Sequence, residues 1–511
     1  MSLARLAVGR LLGSPGVTVF RGVPYAAARR FQPPEPLTAW GDLREARTHG
    51  PIAPQPVTPL TADLPQDEAC LTLSVATPGL PGAGDSHPAW PVIVHLHGGL
   101  YQTGAGSLDL HDPGLLASDG ECVVVSLNYR LGVLGFLHLP GVAEGNMGLQ
   151  DMIAGLRWVR DNIGAFGGDA ANVTLVGHDA GAHAILCLLT MWESQGLFHR
   201  AILQSPPLVL APQTRAVAQD RAGHLCRLLG VPPAALAGLS LAALLDGQRR
   251  LDQAGQRFAD VTAPFLPVFD ALADVRRFTA AAAEAAGARG IDMIMGTTRE
   301  EMHGFIQAEA TPPAADAVAA RFGDLNGAPE SIELYRRRRL GATTTDLLGD
   351  LMTDHLFLFP VLALADAITE AGARAWVYQC DWSPAGSPLR ACHGIDVPMV
   401  FGTIGSAGAA PLLAGANQAE AASLSAAFRA AWTEFAATGD PDAPGLRQAE
   451  PDDDALRHPA RCRRRPRRRR MARRRQRLTQ NEAGSLAPRL AFSISEQAAA
   501  AAGVTARGPK P

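Results

Sequence analysis

The chain has 511 residues, of which 47% are hydrophobic and 19% charged, and its formal net charge is −3. This composition is typical of a folded globular protein with a large core, so a collagen-like, mainly disordered or disulfide-scaffold chain is excluded. The charge is uneven, because residues 448–511 carry 16 Arg/Lys and 6 Asp/Glu, a net charge of +10, which leaves −13 for residues 1–447. An acidic body of this kind does not favour binding to nucleic acid.

Targeting and redox signals are weak. No stretch of about 18 uncharged apolar residues is present, so we expect no membrane-spanning segment and no membrane partner. The apolar stretch at the N-terminus is short and interrupted by Arg10, so a signal peptide is not expected. The 7 cysteines include no Cys-x-x-Cys motif, which favours a reducing compartment, and we expect a cytoplasmic protein.

Hydrophobic periodicity predicts strands that alternate with helices. Taken in chain order, the predicted elements are a strand opening the Pro-rich segment 17–40, strands at 68–75, 92–96 and 122–127, a helix at 147–163, a strand at 173–176, a helix at 180–191, a strand at 201–204, a mostly helical stretch at 210–285, a strand at 291–295, a second helical stretch at 311–372, a strand at 375–380 and a helix at 417–437. This alternation predicts an α/β fold with a large, mostly parallel central sheet and helices on both faces.

One turn in this pattern carries the frame of a catalytic motif. Gly177-His178-Asp179-Ala180-Gly181 follows an apolar strand and opens a helix. A G-x-S-x-G sequence in this context forms a nucleophile elbow, a sharp strand-to-helix turn that presents its central side chain above the sheet. Here the central residue is Asp179 instead of serine, and the functional question depends on that difference. A glycine-rich turn at 97–100 follows another strand and is expected at the same edge of the sheet.

The chain resembles the type-B carboxylesterases, the cholinesterase-like branch of the α/β-hydrolases, over residues 1–447. The motifs that carry the resemblance occur in order along the chain. They are Phe20-Arg21-Gly22-Val23-Pro24-Tyr25-Ala26, Glu68-Ala69-Cys70-Leu71, His97-Gly98-Gly99, Asn128-Tyr129-Arg130-Leu131-Gly132, Gly145-Asn146-Met147-Gly148-Leu149, Phe166-Gly167-Gly168-Asp169, the segment from Gly296 to Phe305, His393-Gly394-x-Asp396-x-Pro398 and Gly439-Asp440-Pro441. The resemblance implies one α/β-hydrolase domain that hydrolyses small carboxylic esters without a cofactor or a metal.

The resemblance also implies roles for individual residues. It places the acid at Glu301 and the base at His393, with Asp179 in the nucleophile position. It assigns the oxyanion-hole donors to the backbone N–H groups of Gly99, Leu100 and Ala180.

Three positions depart from the family pattern. Asp179 replaces the serine, His178 replaces the acid that usually precedes it, and Leu100 replaces the third glycine of the oxyanion turn. Leu100 keeps its backbone donor, and its side chain is expected to narrow the acyl side of the site.

Asp179 changes the expected chemistry. A carboxylate needs no general base, but its attack on an ester carbonyl would give an anhydride that readily reverts. We expect one Asp179 oxygen to enter the oxyanion hole and to pair with His393, so that the site inhibits itself. Removal of a triad nucleophile leaves only small residual activity, and ordinary serine-type turnover is therefore not expected.

Three other interpretations remain open. The haloalkane dehalogenases and epoxide hydrolases carry aspartate at this elbow, so Asp179 could attack saturated carbon while His393 and Glu301 activate water. A catalytically silent scaffold that binds a ligand or partner is the second. The third is a metal site, because Asp179 and His183 are four residues apart at a helix start, with His178 beside them and His97 on the next loop. Hydrogen-bonded histidines are the more ordinary interpretation, and no metal is expected.

Outside the site, Arg30 and Glu68 match an ion pair of the family, and Cys70 lacks the upstream cysteine with which its family counterpart forms a disulfide. Residues 448–511 form a basic tail with long arginine runs. We interpret it as disordered and as an out-of-frame continuation of the gene, not as a nucleic-acid-binding segment. The sequence does not identify the ester or the oligomeric state.

Overall fold

A computed structural model describes residues 3–6, 9–12, 18–37, 39–40, 43–81, 89–255, 258, 262–307, 312–441 and 463–464. Within these ranges the strands are β1 (Leu3–Leu6), β2 (Gly9–Leu12), β3 (Thr18–Pro24), β4 (Ala26–Ala27), β5 (Glu35–Pro36), β6 (Leu43–Glu45), β7 (Thr72–Thr77), β8 (Trp90–Leu96), β9 (Val123–Leu127), β10 (His138–Leu139), β11 (Ala143–Glu144), β12 (Gly168–His178), β13 (Arg200–Gln204), β14 (Asp292–Thr298), β15 (Ala375–Cys380) and β16 (Arg463–Arg464).

The α-helices of the same ranges are α1 (Gly114–Asp119), α2 (Gly132–Phe136), α3 (Met147–Asn162), α4 (Ala180–Thr190), α5 (Arg215–Leu229), α6 (Leu241–Gly255), α7 (Val275–Arg289), α8 (His303–Gln307), α9 (Ala315–Asn326), α10 (Ile332–Arg338), α11 (Thr344–Thr353), α12 (Phe359–Glu370), α13 (Val397–Phe401) and α14 (Gln418–Thr438). Short 3-10 helices lie at Asp109–His111, Ile163–Phe166, Trp192–Ser194, Pro233–Gly238, Asp270–Leu272 and Pro329–Ser331, and a π-helical turn, Asp354–Leu358, joins α11 to α12.

The central sheet has the strand order β16-β15-β14-β13-β12-β8-β9-β7-β3. The strands from β9 to β15 pair in parallel, whereas β3, β7 and β16 pair antiparallel at the edges. The predicted α/β-hydrolase fold with a mostly parallel sheet is therefore confirmed. Because β8, β12, β13 and β14 run parallel, their carboxyl ends meet at one edge, and the turns that follow them lie together.

Apolar side chains cover both faces of the sheet. Along β8, Val92, Val94 and Leu96 join the larger core cluster, whereas Ile93 joins the cluster on the opposite face. Since successive side chains of a strand point to opposite faces, a continuous apolar strand requires helices on both sides. A third, smaller cluster packs α8 to α11 together beside the carboxyl edge.

Two predicted strand boundaries shift. The strand predicted at 68–75 begins only at Thr72, where the N–H of Thr72 donates to the carbonyl oxygen of Cys70 at 2.7 Å in a local turn. Before this turn, Glu68 forms an ion pair with Arg30, whose Nε lies 2.9 Å from Glu68 Oε2. This is the pair that the family resemblance implied. The elbow strand is longer than predicted, since β12 begins at Gly168.

One helix in the described part, Thr344–Glu370, is long and apolar enough to cross a membrane by length and composition alone. Of its apolar window, 61% is buried within the protein, as expected for a core helix. Of the predicted basic tail, only Arg463–Arg464 is described, as the edge strand paired with β15. The prediction of disorder for the remainder of residues 448–511 lies outside the described residues.

Candidate active site

The elbow between β12 and α4 has the expected sharp geometry. Asp179 has φ 51° and ψ −118°, a conformation that side-chain-bearing residues rarely adopt and that costs about 1–3 kcal/mol. The flanking glycines make the turn possible: a Cβ on Gly177 would lie 2.5 Å from the backbone nitrogen of Ala182, and one on Gly181 would lie 2.0 Å from the carbonyl oxygen of Leu96. The strain lifts the Asp179 side chain from the sheet toward the glycine-rich turn after β8.

The carboxylate of Asp179 accepts hydrogen bonds from that turn. The N–H groups of Gly99 and Leu100 donate to the same oxygen, Asp179 Oδ2, at 2.7 and 2.8 Å. The residue is only 4% exposed, so the two bonds are shielded from water. Two convergent backbone donors are the arrangement that holds a tetrahedral oxyanion in acyl transfer.

Ala180 is the third predicted donor. In the described part of the chain, the Asp179 carboxylate accepts from Gly99 and Leu100 but not from Ala180. The reason is geometric. The carboxylate extends across to the facing turn, whereas the N–H of Ala180 follows directly after Asp179 in the chain and begins α4.

The oxyanion turn is built from consecutive left-handed residues. Gly99, Leu100 and Tyr101 have φ angles of 117°, 51° and 61°. A Cβ on Gly99 would lie 2.2 Å from the carbonyl oxygen of Thr103, so glycine is required at that position. Leu100 and Tyr101 have no such freedom, and surrounding contacts must hold them in this conformation.

The predicted acid and base lie together. His393 Nδ1 is 2.7 Å from Glu301 Oε2, and the Glu301 side chain is fully buried. Glu301 Oε1 accepts two further bonds, from the Ser205 hydroxyl and from the N–H of Thr298, both at 2.7 Å. These bonds fix the carboxylate orientation, so that Glu301 in turn orients the imidazole ring.

The charges around His393 favour its protonated form. Burial lowers the pKa of His393, but the hydrogen bond that its Nδ1–H donates to Glu301 and the negative charges of Glu301, Asp179 and Asp396 outweigh burial and raise the pKa to about 9. At neutral pH the ring is therefore an imidazolium that lies among carboxylates. In this form it cannot accept a proton from a nucleophile or from water.

His178, which occupies the position of the family acid, lies beside the base. Its ring centroid is 4.5 Å from that of His393, and its buried Nε2 has no hydrogen-bond partner among the described residues. Burial and the neighbouring His393 charge lower the pKa of His178 well below its usual range, so the ring is neutral. Phe305 and Phe357 complete the surroundings, with ring centroids 5.7 and 5.5 Å from that of His393.

Sequence reasoning did not identify two groups that support the site. Ser205 directly follows β13, and its position at the carboxyl end of a strand is a signal that could have identified it. Asp396 belongs to the His393-Gly394-x-Asp396 motif, which does not indicate a role for it. It is fully buried, and its Oδ2 accepts from Tyr378 Oη at 2.7 Å and from Gln204 Nε2 at 3.0 Å.

The histidines weighed for a metal site do not converge on one point. His183 Nε2 is 2.5 Å from the carbonyl oxygen of Leu210, and its Nδ1 is 2.7 Å from the Tyr101 hydroxyl. His97 is stacked against Tyr129, with ring centroids 4.3 Å apart. Across the described ranges, no group of three or more His, Cys, Asp or Glu side chains is arranged to hold a metal ion.

An α/β-hydrolase sheet, a strained elbow, two convergent backbone donors and a buried Glu–His pair are the parts of an ester hydrolase. The Carboxylesterase family matches residues 7–458 of this chain. The chain belongs to that family.

Individual relatives agree over most of their length. The chain is 36% identical over 445 residues to the para-nitrobenzyl esterase of Bacillus subtilis (strain 168), covering 83% of this chain and 87% of that protein. It is 33% identical over 447 residues to the phenmedipham hydrolase of Pseudarthrobacter oxydans, covering 83% and 87%. The crystal structure of the carboxylesterase EST55 of Geobacillus stearothermophilus at pH 6.2 superposes with a TM-score of 0.75 at 32% identity, covering 88% of this chain and 94% of that one.

Proposed function

We propose that this protein is a carboxylesterase-family protein whose own Asp179 carboxylate occupies the oxyanion hole and keeps serine-type ester hydrolysis off. The observation that carries the proposal is the pair of bonds from Gly99 and Leu100 to Asp179 Oδ2. An ester carbonyl oxygen must accept hydrogen bonds from those same two N–H groups as its oxyanion develops. A substrate can use them only after the carboxylate has left.

The expected losses in kcat favour a site with no measurable ester hydrolysis over one with slow hydrolysis. Loss of one oxyanion-hole donor typically costs about 10²–10³-fold in kcat, and here both donors are engaged. Loss of a triad nucleophile costs roughly 10⁶-fold. The Asp179 charge also contributes to the raised pKa of His393 and so reduces the fraction of neutral base at neutral pH. The protein then acts as a scaffold that binds an ester or acyl ligand without turning it over.

Small carboxylic esters are the ligand class that we propose. The relatives are named for para-nitrobenzyl esters and for phenmedipham, which supports a small organic ligand. Phe305, which is 53% exposed beside His393, provides aromatic surface for such a molecule. We further propose a reducing, cytoplasmic location, which is supported by the buried and free state of the six described cysteines.

The test compares p-nitrophenyl acetate and butyrate hydrolysis by the wild-type protein and by Asp179→Ser. We expect the wild type to be silent and the serine variant to hydrolyse both esters, because the remaining machinery is in place. Asp179→Ala is the matched control, since it empties the oxyanion hole without supplying a nucleophile. Turnover by the wild type that His393→Ala abolishes would overturn the proposal.

A second candidate function is hydrolysis at saturated carbon with Asp179 as the nucleophile, and the hydrogen bonding of its carboxylate favours this function. Both backbone donors bind Oδ2 and neither donates to Oδ1, so Oδ1 is the oxygen that could attack a saturated carbon. In that step the Oδ1–carbon bond forms, and the carbon–halogen or epoxide carbon–oxygen bond breaks with its electron pair going to the leaving group. The resulting ester is neutral, so the Asp179 charge no longer contributes to the raised pKa of His393, whereas the larger contribution of Glu301 remains. The neutral fraction of His393 takes a proton from the water that attacks the ester.

A further inference from the structure

A buried hydrogen-bonded chain links the oxyanion turn to the elbow helix. The Tyr101 hydroxyl is 2.7 Å from His183 Nδ1, and His183 Nε2 is 2.5 Å from the carbonyl oxygen of Leu210. Tyr101 directly follows the donor Leu100, and His183 lies on the first turn of α4, after Asp179. Tyr101 and His183 are 2% and 1% exposed, so water does not compete for these bonds.

The chemistry of the partners fixes the direction of each bond. A backbone carbonyl only accepts, so His183 Nε2 carries the proton and donates to Leu210. Burial lowers the pKa of His183 to about 4, so the ring is neutral and Nδ1 is an acceptor. Burial raises the pKa of Tyr101 well above its usual range, so the hydroxyl keeps its proton and donates to Nδ1. The thiol of Cys187, 3.7 Å from the same nitrogen, adds a weaker contact.

The oxyanion turn needs such a constraint. Leu100 and Tyr101 both have positive φ angles, 51° and 61°, although neither is glycine. The Tyr101 ring packs edge-on against Phe136, with ring centroids 4.7 Å apart. The backbone carbonyl of Tyr101 accepts a hydrogen bond from the N–H of Gly132 at 2.7 Å. Packing holds the ring in place, and the hydroxyl bond ties it to the same helix that carries the elbow.

We infer that Tyr101 and His183 are positioning residues that hold the N–H groups of Gly99 and Leu100 in register with the side chain at position 179. The elbow and the oxyanion turn belong to different parts of the chain, and this pair joins them directly. We call this Tyr101–His183 hydrogen bond the clamp. Its consequence for catalysis rests on the proposed function, whereas its structural role does not.

The clamp is tested in the wild-type background by amide hydrogen exchange, measured by NMR for Gly99 and Leu100. Tyr101→Phe removes only the hydroxyl and keeps the ring. We expect exchange of both amides to accelerate at least tenfold, while Val125 in the central sheet keeps its rate. Tyr25→Phe is the matched control, because it also removes a buried hydroxyl bond, 2.7 Å long, to a backbone carbonyl at Asn128. Unchanged exchange at Gly99 and Leu100 in Tyr101→Phe would overturn the inference.

The catalytic consequence is read in the Asp179→Ser background. Adding Tyr101→Phe should lower kcat about tenfold and change KM less than twofold, because the oxyanion is bound mainly in the transition state. His183→Gln should lower kcat similarly, and the two substitutions together should do little more than either one. A rise in KM at constant kcat, or an equal loss in Tyr25→Phe, would contradict a positioning role. If Asp179→Ser itself has no activity, the proposed function fails, and the exchange rates still decide the clamp.

Discussion

His393 Nδ1 lies 2.7 Å from Glu301 Oε2 inside a protein whose elbow residue is itself a carboxylate. Glu301 orients the histidine through this bond, whereas Asp179 acts on the histidine through its charge. Among the described residues the ion pair of His393 is with Glu301, so the predicted pairing of Asp179 with His393 is not observed as a direct contact. In a serine hydrolase the imidazole becomes charged only as the reaction proceeds. Here the ground state already contains the imidazolium, and the Asp179 anion already occupies the place of the oxyanion.

The first prediction concerns stability at alkaline pH. The folded-state pKa of His393, about 9, lies above its ordinary value of 6.5, so its contribution to stability is fully present below pH 6.5 and is lost as pH rises through about 9. The difference corresponds to roughly 3 kcal/mol of unfolding free energy. Denaturant unfolding between pH 6 and 10 should show this loss, and Asp179→Asn should make it smaller. Parallel curves for the two proteins would contradict the assignment.

Removal of the Glu301 carboxylate should lower kcat severely in the Asp179→Ser variant, in which ester hydrolysis is restored. In Asp179→Ser, the additional change Glu301→Gln removes the charge and presents an amide N–H to His393 Nδ1, which forces the ring into the wrong tautomer. We expect kcat to fall roughly 10³–10⁴-fold. Ser205→Ala deletes one bond, of 2.7 Å, to the same carboxylate and should cost far less. Equal losses in the two variants would show that the charge on Glu301 is not the important feature.

Much of the fold could be predicted from sequence, because it depends on local periodicity. The strand at 375–380 has the predicted bounds, and the helix predicted at 147–163 ends one residue early, at Asn162. The late start of β7 could not be predicted, since a local backbone turn from Thr72 to Cys70 interrupts a stretch whose alternation continues on both sides of it.

The site divides in the same way. A short motif was enough to indicate the elbow at Asp179. The contact of Ser205 with Glu301 spans 96 residues, and the raised pKa of His393 depends on three carboxylates that only the folded chain brings together. The Tyr101–His183 bond could not be predicted either, because it spans 82 residues and the sequence suggested His183 only as a metal ligand.

A buried ion pair between the segment after β9 and helix α3 should contribute strongly to stability. Arg130 and Asp151 are 4% and 0% exposed and lie 2.7 Å apart. Arg130→Leu leaves an uncompensated buried carboxylate and should lower the unfolding free energy by about 3–5 kcal/mol in urea titrations. Arg160→Leu is the control, because its pair with Asp161 has the same 2.7 Å separation but is more than half exposed, and it should cost less than about 1 kcal/mol. Similar losses would contradict the role of burial.

The second candidate function predicts a covalent intermediate. If Asp179 Oδ1 attacks saturated carbon, His393→Gln should trap the alkyl ester, because no base remains to activate water. Incubation with 1-bromobutane or with styrene oxide, followed by mass spectrometry of the peptide that contains Asp179, would reveal the added mass. Asp179→Asn is the control and should carry none. An unmodified peptide in His393→Gln would rule out this chemistry for both reagents.

The most direct test of the central claim is an NMR titration of the His393 ring in the wild-type protein and in Asp179→Asn. We predict that the His393 ring titrates in the wild type with a midpoint near pH 9, produced in part by the Asp179 charge. In Asp179→Asn this midpoint should shift toward the ordinary histidine value. A wild-type midpoint at or below about 6.5, or one that Asp179→Asn leaves unchanged, would contradict the account, because His393 would then be an ordinary base with no anion beside it.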